Sequence, residues 1–285
     1  MQEAPIIITS PSTRSGTTLI QRLITSSDNS ICYGEHAARR LIELSNFVHR
    51  EYVLLQKTED RHAFNWQKVL SGDANYWMVG LELPGEYTQN ALVGALSCFK
   101  QHYDEATRAI DKEIWASKSP KQTFLDIVRL SDFFPKLKCV YIYINVFDTI
   151  RSQKTRGWIK DNSDLANACI EWVANTEVIA ALQKNDFETV PEMLHPVKYE
   201  SFLQNLDTGI QQLEEFTGAR GINRDIANVK INVWVPTSKD DLTPAINYGE
   251  PAALDKGELE IIQKISGARM QEIYAEYNGD IPENR

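Results

Sequence analysis

The residues best suited to chemistry lie in the stretch SPSTRSGTT at positions 10–18, directly after an apolar run. Gly16 lets the backbone approach a ligand closely, and Arg14 offers a fixed cation with planar donors. Further hydroxyl donors are Ser15, Thr17 and Thr18. A strand that turns through such a loop into a helix exposes backbone N–H groups, which bind anions. The stretch therefore predicts a phosphate-binding loop, and an N-capped helix after an ordinary turn is the alternative.

The loop lacks the lysine of the common nucleoside-triphosphate pattern. That pattern ends in GK[ST], and its lysine reaches the β- and γ-phosphates. In this chain Gly16 is followed directly by Thr17 and Thr18. The missing lysine argues against a kinase or nucleotide hydrolase. A P-loop kinase or hydrolase that has lost this lysine is the second hypothesis.

The elements that must position the loop alternate along the chain. Apolar runs predict strands at residues 5–10, 114–116, 139–144 and 196–199. Helices are predicted at about 16–27, after Ser119-Pro120, around Ile150 and Ser152, at 164–184 and at 255–277. This alternation predicts an α/β, P-loop-like three-layer domain, with a central mostly parallel sheet flanked by helices. Ligands then bind at the carboxyl ends of the strands, where the loop lies.

We interpret residues 1–285 as a single domain, because neither internal repeats nor low-complexity linkers occur. Within it, residues 45–112 are predicted to form a mainly helical excursion on the acceptor side. Residues 219–250 lack regular periodicity and are predicted to form a covering loop.

Composition and charge exclude several classes of protein. A net charge of −9 argues against binding to nucleic acid or to anionic membranes, since either needs a basic face. The four cysteines form no CxxC pair, so neither a zinc site nor a disulfide framework is predicted. The sequence contains no signal-peptide pattern and no long apolar stretch. We therefore expect a soluble, cytoplasmic protein.

Four stretches resemble, in the same order, sulfotransferases that use 3′-phosphoadenylyl sulfate (PAPS). The first is RSGTT at 14–18, which resembles their 5′-phosphosulfate loop. The second is CYGEHAARR at 32–40, similar to a CGEE-type segment of tyrosylprotein sulfotransferases. The third is SKSPKQTFLDIVRLSDFFPKLKCVYIYINVFDTIRS at 117–152, similar to the helix–strand–helix that ends at the 3′-phosphate site. The fourth is HPVKYESFLQN at 195–205, similar to the family's VxYE strand and following helix.

The resemblance implies an activity and a set of site residues. The enzyme would move a sulfuryl group from PAPS to a hydroxyl or amine and release adenosine 3′,5′-bisphosphate (PAP), without a metal. Glu35 would be the general base, Lys118 would face the bridging oxygen, and Arg14 would act on the sulfonate. The implied nucleotide contacts are Arg14, Ser15, Gly16, Thr17, Thr18, Ser152, Arg156, Tyr199, Ser238 and Lys239. A solvated glutamate, a surface lysine and a core tyrosine are the alternatives for Glu35, Lys118 and Tyr199.

Three positions depart from the family pattern. Thr13 stands where a proline is usual in the loop. Ile144 stands where the family usually has an arginine for the 3′-phosphate, so Arg151, Lys154 or a residue of 219–250 would have to supplement Ser152 and Arg156. Pro120 stands where small-molecule sulfotransferases carry a catalytic histidine, which favours Glu35 as the base and leaves His36 as the spare candidate.

The net charge of the chain indicates the class of acceptor better than the aromatic composition does. Aromatic residues crowd the helical excursion at Trp66, Tyr76, Trp77 and Tyr87, but aromatics at this density also occur in ordinary cores. A chain at −9 repels acidic peptides, so a small neutral or cationic metabolite is favoured, for example a guanidinium alkaloid of the saxitoxin type made in bacterial secondary metabolism. A tyrosylprotein-type enzyme acting on a peptide and a non-catalytic nucleotide-binding module stay open as alternatives.

Overall fold

A five-stranded sheet forms the centre of the molecule. The computed structural model describes residues 2–73, 81, 85–184, 192–228 and 251–277. The strands are β1 (Ile6–Thr9), β2 (Ser30–Tyr33), β3 (Ile114–Lys118), β4 (Lys138–Tyr143) and β5 (Leu194–Lys198). Their spatial order is β2-β3-β1-β4-β5, and every neighbouring pair is parallel. The predicted α/β fold is confirmed.

Helices connect the strands and cover the sheet. They are α1 (Thr17–Thr25), α2 (Glu35–Leu70), α3 (Gly85–Arg108), α4 (Phe124–Ser131), α5 (Val146–Thr155), α6 (Asn162–Asn175), α7 (Glu177–Gln183), α8 (Tyr199–Gln204), α9 (Leu206–Thr217) and α10 (Lys256–Ile273). A short 3-10 helix follows at Arg224–Asn228. Among the described residues, no helix combines the length and the apolar character needed to cross a bilayer.

Alternating side chains of the strands build a core on each face of the sheet. In β1, Ile7 packs into the larger core with residues of α2, α4, α5, α6 and α10. Its neighbours Ile6 and Ile8 pack into the second core with residues of α1 and α9. All three isoleucines are at most 2% exposed. Strands that are buried on both faces need continuous apolar runs, which explains the sequence pattern of β1 and β4.

Several boundaries differ from the sequence prediction. The prediction that Ser119-Pro120 starts a helix is wrong: the Ser119 amide bonds to the Ile8 carbonyl, and the next helix begins at Phe124. Thr123 caps that helix by exchanging hydrogen bonds with Asp126.

Two further boundaries also differ from the prediction. Tyr199 begins α8 instead of ending a strand. The helix predicted at 164–184 is divided at Thr176, whose hydroxyl bonds back to the Trp172 carbonyl.

The helical excursion begins earlier than predicted. Most of the described part of 45–112 is helical, in α2 and α3, but α2 already starts at Glu35. It follows β2, an edge strand that the sequence reading did not find. Of the predicted covering loop, residues 229–250 lie outside the described residues.

Candidate active site

The loop between β1 and α1 ends in a helix N-terminus that can bind an anion. Gly16 is the N-cap residue, with a left-handed φ of 89°. No side chain caps this end, and no acidic residue lies in the first turn of α1. The first backbone N–H groups of a helix have no intrahelical partner. They are therefore available to a phosphate or sulfate group, whose charge the helix dipole also favours.

Gly16 is required for packing as well as for its backbone conformation. A Cβ atom at this position would lie 2.6 Å from Cδ2 of Tyr199 and 3.0 Å from Cδ1 of Ile142. Real Cβ atoms do not approach other atoms so closely without displacing them. The half-buried Tyr199 ring thus packs directly on the loop backbone, and its contact with a nucleotide stays a prediction.

Side chains from distant segments hold the loop in shape. The Gln153 amide donates to the Thr13 carbonyl at 3.2 Å, and the Asn175 amide donates to the Pro11 carbonyl at 2.7 Å. The buried Ser15 hydroxyl donates to the Ser12 carbonyl at 3.0 Å. The Ser15 hydroxyl is therefore bonded inside the loop, and its contact with a nucleotide stays a prediction. Sequence reasoning missed Gln153 and Asn175.

Arg14 connects the loop to the helix predicted to hold the 3′-phosphate. Its backbone adopts a left-handed φ of 73°, which is uncommon for a residue other than glycine. Its Nε donates a hydrogen bond of 2.9 Å to Oγ of Ser152 on α5. Two residues predicted to contact the nucleotide, 138 positions apart in sequence, are thus in direct contact.

The predicted general base, Glu35, and the predicted charge-stabilising residue, Lys118, are also in contact. Nζ of Lys118 lies 3.3 Å from Oε1 of Glu35 and 3.4 Å from Oγ1 of Thr18. Lys118 is the last residue of β3, Glu35 is the first residue of α2, and Thr18 lies in the first turn of α1. The Lys118 side chain is 14% exposed, whereas that of Glu35 is 55% exposed, so the carboxylate can still be reached from solvent.

Ser117 fixes the start of α2 beside this pair. Its hydroxyl donates to the Gly34 carbonyl at 2.8 Å and accepts from the Ala38 amide at 2.8 Å. Ser117 is fully buried and precedes Lys118 in β3. One side chain therefore joins the strand that carries Lys118 to the helix that carries Glu35. The sequence holds no local signal for this contact, because Gly34 and Ser117 are brought together only by the pairing of β2 with β3.

Glu200 likewise joins two segments, at the other side of the site. Its Oε1 accepts hydrogen bonds from the backbone amide and the side-chain amide of Asn145, at 3.0 and 2.9 Å. Asn145 is the N-cap of α5, and Glu200 directly follows Tyr199. The segment that packs Tyr199 on the loop is thereby joined to the helix that carries Ser152.

The residues considered for the 3′-phosphate differ in burial and in their partners. Ile144 is 9% exposed, and its carbonyl accepts a hydrogen bond from the Trp172 indole. Lys154 bonds to Glu258 at 2.7 Å and to the Ala253 carbonyl, so its charge is paired within the fold. Arg151 is buried and bonds to Asp148 at 3.0 Å. Arg156 is half-buried at the C-terminal end of α5, one turn beyond Ser152.

The remaining candidates lie away from these contacts or outside the described residues. Ser238 and Lys239 lie outside the described residues, as do Tyr76 and Trp77. Tyr87 is 61% exposed. His36, the spare base, is exposed, and its Nδ1 lies 3.3 Å from the Arg39 guanidinium on the surface of α2.

The cysteine nearest the site is not suited to nucleophilic chemistry. Cys32 lies in β2 and is buried, and this burial raises the pKa of its thiol well above the usual range, although the Lys118 ammonium opposes the shift. A thiol in this state is protonated at neutral pH. Among the described residues, no group of three or more His, Cys, Asp or Glu side chains is arranged to hold a metal ion.

Sequence comparison identifies the family of this chain. The model of the family described as the sulfotransferase family matches residues 5–221, a span that includes Arg14, Glu35, Lys118, Ser152 and Tyr199. The chain belongs to the sulfotransferase family. No curated protein sequence matches this member of the family.

Three solved structures are similar to this sulfotransferase at low sequence identity. They are the sulfotransferase domain from the curacin biosynthetic pathway (17% identity, 78% of this chain and 76% of that chain, TM-score 0.46), the sulfotransferase domain from the Synechococcus PCC 7002 olefin synthase (16%, 93% and 96%, 0.47) and sulfotransferase STF1 from Mycobacterium tuberculosis H37Rv (15%, 79% and 70%, 0.39). The fold assignment rests on the strand order and pairing described above.

Proposed function

We propose that this sulfotransferase uses PAPS as its donor, transfers the sulfuryl group to a small-molecule acceptor and releases PAP. The observation that carries the proposal is the contact between Glu35 and Lys118 beside the anion-binding turn of α1. A base, a cation and a set of exposed amides then surround one point at the carboxyl edge of the sheet. PAPS supplies the activated sulfuryl group when it is bound.

The residues present fit a nucleotide with anionic groups at both its 5′ and its 3′ positions. The uncapped N-terminus of α1 offers backbone donors to the phosphosulfate. Tyr199 packs beside Gly16, where it can contact the nucleoside. Ser152 and Arg156, one helical turn apart on α5, can bind the 3′-phosphate.

Each catalytic group has a distinct task in this proposal. Glu35 accepts the proton of the acceptor hydroxyl or amine as the bond to sulfur forms. Lys118 stabilises the negative charge that develops on the bridging oxygen of the departing phosphate. Arg14 stays protonated at neutral pH and stabilises the transferring sulfonate electrostatically. As in phosphoryl transfer, positioning and charge stabilisation supply most of the catalysis.

Lys118 must change partners during the reaction. Its ammonium is paired with the Glu35 carboxylate at 3.3 Å. A phosphosulfate at the helix N-terminus would compete for this ammonium, and Glu35 would then be free to act as a base. The order of binding that follows is donor first and acceptor second.

We further propose that the acceptor is a small neutral or cationic metabolite, of which a guanidinium alkaloid is one example. The net charge of −9 disfavours acidic peptides at long range. A cytoplasmic location stays a prediction from the sequence.

The decisive experiment compares two nucleotides by calorimetric titration. We expect PAP to bind tightly without a metal and ATP with Mg²⁺ to bind weakly. A preference for Mg-ATP would overturn the proposal in favour of a kinase or hydrolase. A screen of metabolites with PAPS radiolabelled in its sulfonate then identifies the acceptor by the label it gains. Tight PAP binding without any labelled product from small molecules or acidic peptides would favour a non-catalytic module.

A further inference from the structure

A cavity opens beside the phosphate-binding loop, on the side of α5 and α6. Its volume is about 330 Å³, within the range of small-molecule sites. The walls that matter for its chemistry are formed by Thr13, Lys121, Trp158, Asp164, Asn167 and Glu171. Thr13 directly precedes Arg14, and Lys121 lies three residues after Lys118, so two segments that carry candidate active-site residues also line the cavity.

The cavity has an excess of negative charge. Its ionisable lining residues are two carboxylates, Asp164 and Glu171, and one ammonium, Lys121. Glu171 is neutralised by Lys121, since their charged atoms lie 3.0 Å apart. Asp164 has no cationic partner within ion-pair distance among the described residues. Its Oδ2 accepts only the Lys160 backbone amide, at 3.0 Å, which leaves its charge available to a ligand.

An aromatic face lies in the same cavity. The Trp158 side chain is 52% exposed although it lines the cavity wall, and Ile159 and Ala168 add apolar surface. An indole face attracts cations through its quadrupole, and a carboxylate in the same cavity adds a direct charge interaction. This pairing of side chains is suited to an organic cation and disfavours an anion.

We propose that this cavity binds the acceptor, and that the acceptor carries an ammonium or guanidinium group held by Asp164 and Trp158. The inference rests on the proposed function, because the reacting hydroxyl or amine of the acceptor must extend past the Thr13 wall towards Arg14 and Glu35. It also moves the acceptor site from the helical excursion at 45–112 to the surface between α5 and α6.

The test uses three phenols that differ in charge at one end. Tyramine is a cation, tyrosol is neutral and 4-hydroxyphenylacetate is an anion, and each carries the same acceptor hydroxyl. Binding is measured by calorimetry with the PAP-saturated protein. We expect tyramine to bind about tenfold more tightly than tyrosol, and the anion more weakly still, from a partly exposed charge pair with a cation–π contact.

Substitutions separate the contributions of the two side chains. Asp164→Asn keeps an oxygen for the Lys160 amide and should reduce the affinity for tyramine to that for tyrosol without changing the affinity for tyrosol. Trp158→Leu should weaken both. The control is Asp60→Asn, which removes the same charge from an exposed position on α2 and should change neither.

Titration of PAP into every protein keeps this inference separate from the proposed function. Failure of the wild-type protein to bind PAP would contradict the proposed function. Normal PAP binding together with equal affinities for tyramine and tyrosol, with no binding of tyramine, or with an unchanged preference in Asp164→Asn, would overturn the inference about the cavity.

Discussion

The Lys118 ammonium lies 3.3 Å from the Glu35 carboxylate, where a central strand ends and a 36-residue helix begins. Because Thr18 contacts the same ammonium, the pair lies against the first turn of α1. The proposed base and the proposed stabilising cation for sulfuryl transfer are therefore adjacent. The two residues are 83 positions apart in sequence, so only the tertiary fold brings them into contact.

Replacement of the base should separate chemistry from binding. We expect Glu35→Gln to lower kcat by about 10²–10⁴-fold, the usual contribution of a positioned base. PAP affinity should change little, because the anion contacts come from the loop. Glu43→Gln is the control, since Glu43 lies on the same helix in an exposed pair with Arg39. Full activity of Glu35→Gln in a steady-state assay would remove Glu35 from its proposed role.

Ser117 tests whether the position of α2 matters for catalysis. Ser117→Ala removes the partner of both the Gly34 carbonyl and the Ala38 amide, which we expect to cost about 1–3 kcal/mol of unfolding free energy. It should also lower kcat with little change in PAP affinity. The matched control is Ser45→Ala, whose buried hydroxyl bonds only to the Ile42 carbonyl of the same helix. Equal kcat values for the two variants would contradict a positioning role.

Two glycines provide a matched test of the loop. In Gly16→Ala the new methyl group would lie 2.6 Å from Tyr199 at a left-handed φ, whereas in Gly34→Ala no atom lies within 4 Å and φ is −73°. We expect Gly16→Ala to lose about 1–3 kcal/mol of stability through overpacking and to bind PAP weakly. Gly34→Ala should bind PAP normally. Denaturant unfolding and PAP titration of both variants check this contrast.

The absence of an arginine at Ile144 leaves Ser152 and Arg156 as the proposed 3′-phosphate ligands. Arg156→Ala should weaken the binding of PAP by about tenfold or more, as expected for a lost charge-assisted contact. The binding of adenosine 5′-phosphate, which lacks the 3′-phosphate, should be unchanged. A parallel loss for both nucleotides would indicate a general structural effect instead.

The stability of the fold should fall in mild acid because of His195. This residue lies in β5, stacked on the Phe216 ring with centroids 5.0 Å apart, and burial lowers its pKa below the ordinary value. The unfolded chain therefore binds a proton as the pH falls below about 6.5, whereas the folded chain does not, and stability is lost over that range. His195→Phe should reduce this pH dependence in chemical denaturation. His102→Gln, at an exposed position of α3, should leave it unchanged.

The sequence predicted the strands that are buried on both faces and the loop that follows the first of them. β1 and β4 are continuous apolar runs, which have few alternative structures. β2 was missed because its four residues alternate between buried and half-buried positions at the sheet edge. The helix start at Phe124 was misplaced because Ser119 and Pro120 imitate a helix N-terminus, whereas pairing with Ile8 extends the chain.

Only those residues of the candidate site that belong to a local sequence motif could be predicted. Local patterns predicted six site residues, and the structure brings these residues to one edge of the sheet: Arg14, Gly16, Glu35, Lys118, Ser152 and Tyr199. Ser117, Gln153, Asn175 and Glu200 were missed as positioning residues. Their partners are distant in sequence, so their contacts arise only from the tertiary arrangement.

The parallel sheet separates the proposed donor site, at the strand ends, from the cavity beside it. The proposed donor-binding groups follow strand ends whose positions are set by two buried cores. The cavity beside them is formed by Thr13, Lys121 and side chains of α5, α6 and the segment between these helices. Side chains that line the cavity could be exchanged without disturbing the strand register, so a redesigned enzyme could receive a new substrate range while its donor chemistry stays intact.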